Sequence, residues 1–292
     1  MKLKRYLAAV TALLLAACSS NQAQPAKVTD NKSLLWRIEK KGMKPSYLFG
    51  TIHMLCQDDY VWTDAMKRSL EQSDEVCFEM DMDDPNLMME VATGMIDQSG
   101  KTLEDYFTPE QYKQLQQYMK DSMGTDISMF RTMKPMALQS LFATKAVGCA
   151  MPVSYEANIM ETAKKQKKEI VGLEPASEQL ALFDNLPADS VVKDIMASVN
   201  HPGTDDTEYN GLIKAYKQQD LPRLYELIKN TKDFGDDMGA FLDERNQKWI
   251  GRMGDKMKGH SVFFAVGAGH LWGDQGVISL LRKAGYNVEA VK

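Results

Sequence analysis

Apolar and polar positions alternate in two short runs near the start of the chain, residues 34–40 (LLWRIEK) and 46–52 (SYLFGTI). A Gly/Pro-containing turn, Lys41-Gly42-Met43-Lys44-Pro45, separates them, and period-two runs around such a turn predict a β-hairpin. Residues 64–72 have helical spacing, and residues 75–82 (EVCFEMDM) read as a strand. From Pro85 the pattern turns helical and rich in methionine. The sharpest helix start is Thr108-Pro109-Glu110-Gln111, where Thr108 can cap, Pro109 suits the first turn and Gln111 completes a capping box. Tyr112, Leu115, Tyr118 and Met119 then share one face, and Gly124 is the expected stop. Further helices are predicted at 135–147, 155–166, 176–186, 188–198, 207–219, 221–230 and 238–258, with a short strand at 169–173 (EIVGL).

The C-terminal stretch is the most regular. Residues 261–266 (SVFFAV) form a continuous apolar run, as a strand covered on both faces requires. A glycine-rich turn at 267–273 and Asp274 lead to a helix carrying Val277, Leu280 and Leu281, which Gly285 ends before a last strand at 286–291 (YNVEAV). Strand, turn, helix and strand make a βαβ unit, so these two strands are expected to run parallel. The fold class expected is α/β, with α+β the alternative: a central mixed sheet built from N- and C-terminal strands around a large helical middle.

The first seventeen residues stand apart. Lys2, Lys4 and Arg5 precede an apolar run of eleven residues, too short for a resident membrane helix and typical of an export signal. Leu15-Ala16-Ala17-Cys18 resembles the lipobox of bacterial lipoproteins, in which the cysteine carries the lipid. The expected organisation is a signal at 1–17, a polar tether at 18–33 beginning with lipidated Cys18, and a single domain at 34–292. The expected location is the bacterial cell envelope, on the outer membrane, with the N-terminal lipid as the contact to the bilayer. Removing the signal leaves 32 basic against 40 acidic residues, a net charge of −8, so nucleic acid is excluded as a partner. In an oxidising compartment Cys56, Cys77 and Cys149 predict one disulfide and one buried thiol, with the pair left open. The twenty methionines read as core filler.

Candidate chemistry centres on two of the four histidines. Gly50-Thr51-Ile52-His53 and Gly267-Ala268-Gly269-His270 are both Gly-x-x-His motifs at predicted strand ends. Ligands gather at the carboxyl ends of strands in open α/β sheets, so the two motifs can converge there. His201 and His260 fall in loops. Glu79, charged and inside a predicted strand, is the best carboxylate candidate, with Asp81 and Cys77 on its face. Glu174 follows another strand, and Arg245-Asn246 precedes the C-terminal unit. No HExxH occurs.

GTIHM paired with VGAGHLWGDQGVISLLRKAGYNV resembles the TraB/GumN family, to which Tiki-type membrane-anchored metalloproteases are related. The resemblance extends to CFEMDM around Glu79, GLEPASEQ around Glu174 and Gln179, and Arg245-Asn246. It departs at 153–158 (VSYEAN), where relatives commonly carry Asp and this chain offers Glu156 or Asn158 nearby. The resemblance implies a divalent-metal-dependent hydrolase cleaving peptides, with His53, Glu79 and His270 as metal ligands and manganese, cobalt or zinc as the ion. In that scheme Glu174 or Asp81 accepts a proton from water and Arg245 orients a carboxylate or stabilises negative charge. The alternative is an envelope lipoprotein that binds haem or peptide without catalysis.

Overall fold

The structure is a computed structural model, and it describes residues 32–202, 204–230 and 239–292. Cys18, the signal and most of the tether lie outside the described residues.

The hairpin forms as expected from β1 (Leu35–Glu39) and β2 (Ser46–Thr51), antiparallel with Leu35 opposite Phe49. After α1 (Asp64–Gln72) comes β3 (Glu75–Phe78), four residues long and fully buried. The helical middle comprises α2 (Leu87–Gly94), α3 (Pro109–Met123), α4 (Pro135–Ala146) and α5 (Tyr155–Lys165). Thr108 and Gln111 close the expected capping box on α3, and Gly124 ends it in the left-handed region at φ 63°. Then follow β4 (Glu169–Gly172), α6 (Ala176–Asp184), α7 (Ala188–Asn200), α8 (Thr204–Lys217) and α9 (Leu221–Asn230). A π-helical turn, Gly239–Glu244, leads directly into α10 (Arg245–Lys256). The chain ends with β5 (Val262–Gly267), α11 (Val277–Lys283) and β6 (Asn287–Ala290).

The sheet is mixed and six-stranded, in the order β4-β3-β5-β2-β1-β6. β5 is parallel to β2 on one side and β3 on the other, and β6 pairs antiparallel with β1. β5 and β6 therefore run in the same direction, as the βαβ pattern implies, but β2 and β1 lie between them. Hydrophobic pattern carries strand direction, not strand neighbours. β5, flanked on both sides, is the continuous apolar strand, buried from Val262 to Val266. The main core spreads from this strand through Phe49, Val76, Phe78, Tyr155, Tyr216 and Trp249, and a second cluster joins α3, α4 and α7 through Leu115, Leu138 and Ile195.

Cys56 and Cys149 form the disulfide, and Cys77 is the buried thiol, its pKa pushed up by burial in β3. Beside the disulfide, Leu55 and Val153 exchange two backbone hydrogen bonds, Leu55 N–H to Val153 O at 3.1 Å and Val153 N–H to Leu55 O at 2.8 Å. The loop after β2 is thus joined, covalently and by a β-bridge, to the segment that starts α5. Among the described residues no helix is long and apolar enough to cross a membrane.

Candidate active site

The two Gly-x-x-His motifs meet because β2 and β5 are adjacent and parallel: Gly50 lies opposite Val266, and Thr51 opposite Gly267. The contact needs glycine. A Cβ on Gly50 would stand 3.1 Å from Ala268 Cα, in the other motif, and 3.0 Å from Leu271 Cδ2, just after it. A Cβ on Gly267 would stand 3.2 Å from Glu79 Oε1. Two tyrosines fix the first motif's backbone: Tyr216 Oη donates to Gly50 O at 2.8 Å and Tyr209 Oη to Met54 O at 2.9 Å.

Glu79 is not inside β3, as expected from its sequence, but one residue beyond its end. There its backbone carbonyl accepts from Leu173 N and Glu174 N, the turn after β4. This crossing sets Glu79 and Glu174 side by side. Gly172 is required, since a Cβ would lie 2.4 Å from Asp81 N. Asp81 itself stays outside the cluster, among Asp83 and Asp84, which with burial raise its pKa.

Arg245, the first residue of α10, ties the floor together. All five of its N–H groups have acceptors. Nε donates to Glu174 Oε1 at 2.9 Å, and Nη2 to Glu174 Oε1 at 2.5 Å and Glu79 Oε2 at 2.6 Å. Nη1 faces Phe241 O at 3.1 Å and His270 Nε2 at 3.2 Å. Glu79 Oε1 accepts from Gly267 N at 2.8 Å, and Glu174 Oε2 from Trp249 Nε1 at 2.9 Å. A guanidinium only donates, so His270 Nε2 must be unprotonated and the proton sits on Nδ1, 2.7 Å from Asn246 Oδ1. Asn246 Nδ2 donates in turn to Gln275 O at 2.9 Å, which fixes the amide's orientation.

The electrostatics agree with these bonds. Burial lowers His270 to a pKa of about 3, keeping it neutral. Burial acts to raise Glu79, but the charges of Arg245 and His53 and the Gly267 N–H outweigh it and hold Glu79 at about 2. Arg245 is raised: burial opposes its charge, and Glu79 and Glu174 more than offset that.

His53 belongs to a second group. Its Nδ1 lies 3.0 Å from Glu156 Oε1, which also accepts from Thr51 Oγ1 at 2.7 Å. Ser154, the N-cap of α5, donates from Oγ to Glu156 Oε2 at 2.9 Å. The carboxylate is buried while the His53 side chain is 71% exposed. The Glu156 hydrogen bond lifts His53 to about 9, against the opposing effect of its surroundings. Burial would raise Glu156, but the bond to His53, its charge and the Thr51 hydroxyl hold it at about 2. The two groups feel each other: Glu79 raises His53, and His53 lowers Glu79.

The structure thus brings Glu79, Glu174, Arg245 and His270 into direct contact and sets His53 beside them with Glu156. His201 and His260 are exposed and apart from the site. Glu156 occupies the segment where the family pattern departs from this chain. Thr51, Ser154 and Trp249 were not singled out from the sequence. A signal existed for one of them, since Ser154 stands where a helix cap is expected before residue 155.

The ligand set His53, Glu79 and His270 does not fit a divalent ion as these side chains stand. Among the described residues no group of three or more His, Cys, Asp and Glu is arranged to hold one. Glu79 Oε1 and His270 Nε2 are 3.8 Å apart, and the guanidinium of Arg245 binds both residues. The physical reason is the guanidinium itself, which already supplies the positive charge that the two carboxylates need.

Residues 34–290 match the model of the TraB/PrgY/gumN family. The chain is 25% identical over 329 residues to a protein named Metalloprotease TIKI1 from Danio rerio, covering 93% of this chain and 65% of that one. It is 22% identical over 315 residues to Metalloprotease TIKI1 of Homo sapiens, covering 88% and 61%. With a protein of Escherichia coli (strain K12) named Uncharacterized protein YbaP it shares 24% identity over 249 residues, 82% of this chain and 89% of that one. The chain spans 61–65% of the length of the first three Tiki relatives. The metalloprotease names of these distant relatives suggest a metal cofactor. No solved structure matches.

Proposed function

The chain belongs to the TraB/PrgY/gumN family, and on that premise we propose that it is a hydrolase of peptide-type bonds working at the carboxyl edge of its sheet. The observation that carries this reading is the His53–Glu156 pair: an exposed imidazole gripped through Nδ1 by a buried carboxylate. A carboxylate so placed orients the ring and favours its charged form. The bond to Glu156 raises the His53 pKa, which favours the imidazolium and makes His53 a proton donor. Amide hydrolysis needs such a donor, because the leaving nitrogen must be protonated. Thr51 and Ser154 hold Glu156, and Glu79, Glu174, Arg245 and His270 form the charged floor beneath. Arg245 is buried, so it shapes the floor, pairs with both carboxylates and helps to hold Glu79 ionised.

A metal, which the names of the Tiki relatives carry, would have Glu79 and His270 as ligands, with His53, only if Arg245 left them; manganese, cobalt and zinc suit imidazole and carboxylate donors. The steps above use only the chain's own groups. The reading extends to location: cleavage before Cys18 and lipidation there would tether the enzyme to the outer membrane of a bacterial envelope by residues 18–33.

The test is hydrolysis of a peptide pool by purified wild type and by His53→Gln, with the melting temperature of each. Cleavage by the wild type, lost in a folded His53→Gln chain and declining as pH rises through the titration of His53, is the expected result. Equal cleavage by both overturns the role of His53, and no cleavage by the wild type, with or without added manganese, cobalt or zinc, overturns the hydrolase.

One observation favours a second reading, ligand binding without catalysis. Glu79, Glu156 and His270 lie at about 2, 2 and 3, so none of the three is poised near neutrality as a general base. A haem titration whose absorbance change disappears in His53→Gln would carry that reading instead.

A further inference from the structure

We propose that Arg245 is the resident cation of this site and that its guanidinium masks a divalent-ion site formed by Glu79 and His270. This inference stands apart from the hydrolytic role of His53.

His270 is already presented as a metal ligand would be. Its Nδ1–H is held by Asn246 Oδ1 at 2.7 Å, and its unprotonated Nε2 lone pair faces Arg245 Nη1 at 3.2 Å. A histidine whose outer nitrogen is held in this way, with the lone pair of the other turned inward to a cation, is oriented as metal-bound histidines are. Glu79 Oε1 lies 3.8 Å from that lone pair, a separation two donors can span around one ion at about 2.1 Å from each. The guanidinium engages the same two residues, through Nη1 to His270 Nε2 and Nη2 to Glu79 Oε2. Ion and arginine therefore contend for one place.

Three features make Arg245 a firm occupant. All five N–H groups are satisfied, and the side chain is only 8% exposed. Its guanidinium carbon lies 4.8 Å from the centre of the Trp249 ring, a cation–π contact. It also follows a π-helical turn, and Phe241, within that turn, turns its carbonyl to Nη1. Such turns recur at functional positions in helices. The charge balance allows an exchange: two carboxylates held by one guanidinium can equally be held by one divalent ion.

The experiment titrates the full chain with Mn2+, Co2+ and Zn2+ separately, reading heat by calorimetry and melting temperature in parallel. Wild type is expected to show neither a stoichiometric heat nor an ion-dependent rise in melting temperature. Arg245→Met removes the guanidinium and is expected to bind one ion per chain at least tenfold more tightly. Its melting temperature should climb with ion concentration, as binding to the folded state alone requires. Adding His270→Ala to Arg245→Met should abolish both effects.

Wild-type binding of one ion per chain that is lost in His270→Ala overturns the proposal, and so does a folded Arg245→Met chain that binds none. If Arg245→Met does not fold even with ion present, Glu174→Gln decides. It takes away the negative charge that anchors the guanidinium, while an amide oxygen can still accept from Nε and Nη2, and should raise ion affinity at least tenfold over wild type. Unchanged affinity there overturns the proposal.

Discussion

Replacing Glu156 by Gln separates charge from shape at the exposed histidine. The amide keeps an oxygen to accept from Thr51 Oγ1 and His53 Nδ1, and its NH2 can donate to Ser154 Oγ, so the three contacts at 2.7, 3.0 and 2.9 Å survive. Only the negative charge goes. The gap between about 9 and the ordinary 6.5 corresponds to roughly 3 kcal/mol at about 1.36 kcal/mol per pH unit. The His53 side chain is 71% exposed, and water screens most of that, leaving a net coupling of about 1 kcal/mol. His53 in the wild type should therefore titrate above about 7. In Glu156→Gln it should fall to 6.5 or lower. Proton NMR of the four histidine rings against pH measures both, with His53→Gln providing the assignment. A wild-type midpoint at or below 6.5, or one that Glu156→Gln leaves unmoved, refutes the reasoning.

Three further outcomes follow from the same contacts. His270 refuses a proton until about pH 3 in the folded chain but takes one near 6.5 when unfolded, so its contribution is complete above pH 6.5 and lost as pH falls toward 3. Glu79 and Glu156, ordinarily near 4.5 and held at about 2, add their loss only below 4.5; the fall in urea midpoint between pH 6.5 and 4.5 should vanish in His270→Gln. The Cys56–Cys149 bridge spans 93 residues, for which loop-closure entropy assigns about 4–5 kcal/mol. Paired Cys→Ser replacement should lower unfolding free energy by up to that amount in denaturant titration, and a loss below ~1 kcal/mol would mean the reduced chain keeps the loop closed on its own. Trp249→Phe leaves Glu174 Oε2 without its indole donor and should cost about 2–3 kcal/mol by calorimetry, whereas a neutral result would mean water replaces the indole.

Much of this architecture was readable in the chain. The hairpin, the capping box on α3, the apolar strand β5 and the meeting of the two Gly-x-x-His motifs all rest on local chemistry that acts over a few residues. The expectation of one disulfide and one buried thiol rested on compartment and count alone. What escaped was relational. Glu79 reads as a strand residue because EVCFEMDM alternates, yet β3 stops at Phe78 and Glu79 turns across Gly172. Glu156 stood out only as an acid near a departure from the family pattern, since nothing local says that Thr51 and Ser154 will hold it against His53. Arg245 was assigned to substrate or developing charge; its contacts with two carboxylates and an imidazole from three other segments arise from packing that no local pattern encodes. β5 and β6 likewise carry their direction in the sequence but not the two strands between them.

The strand order also sets a timetable. β1, β2 and β3 are made early, yet the strand that joins β2 to β3 is β5, which begins at Val262 in a chain of 292 residues. Until β5 exists, the hairpin and β3 are separate pieces with open edges. Folding must close sequence separations of about two hundred residues in one step, the situation in which chains condense late and slowly. A nascent chain of this protein thus cannot join its hairpin to β3 before β5 has been made, and the His53 and Glu79 halves of its site cannot be assembled ahead of that strand.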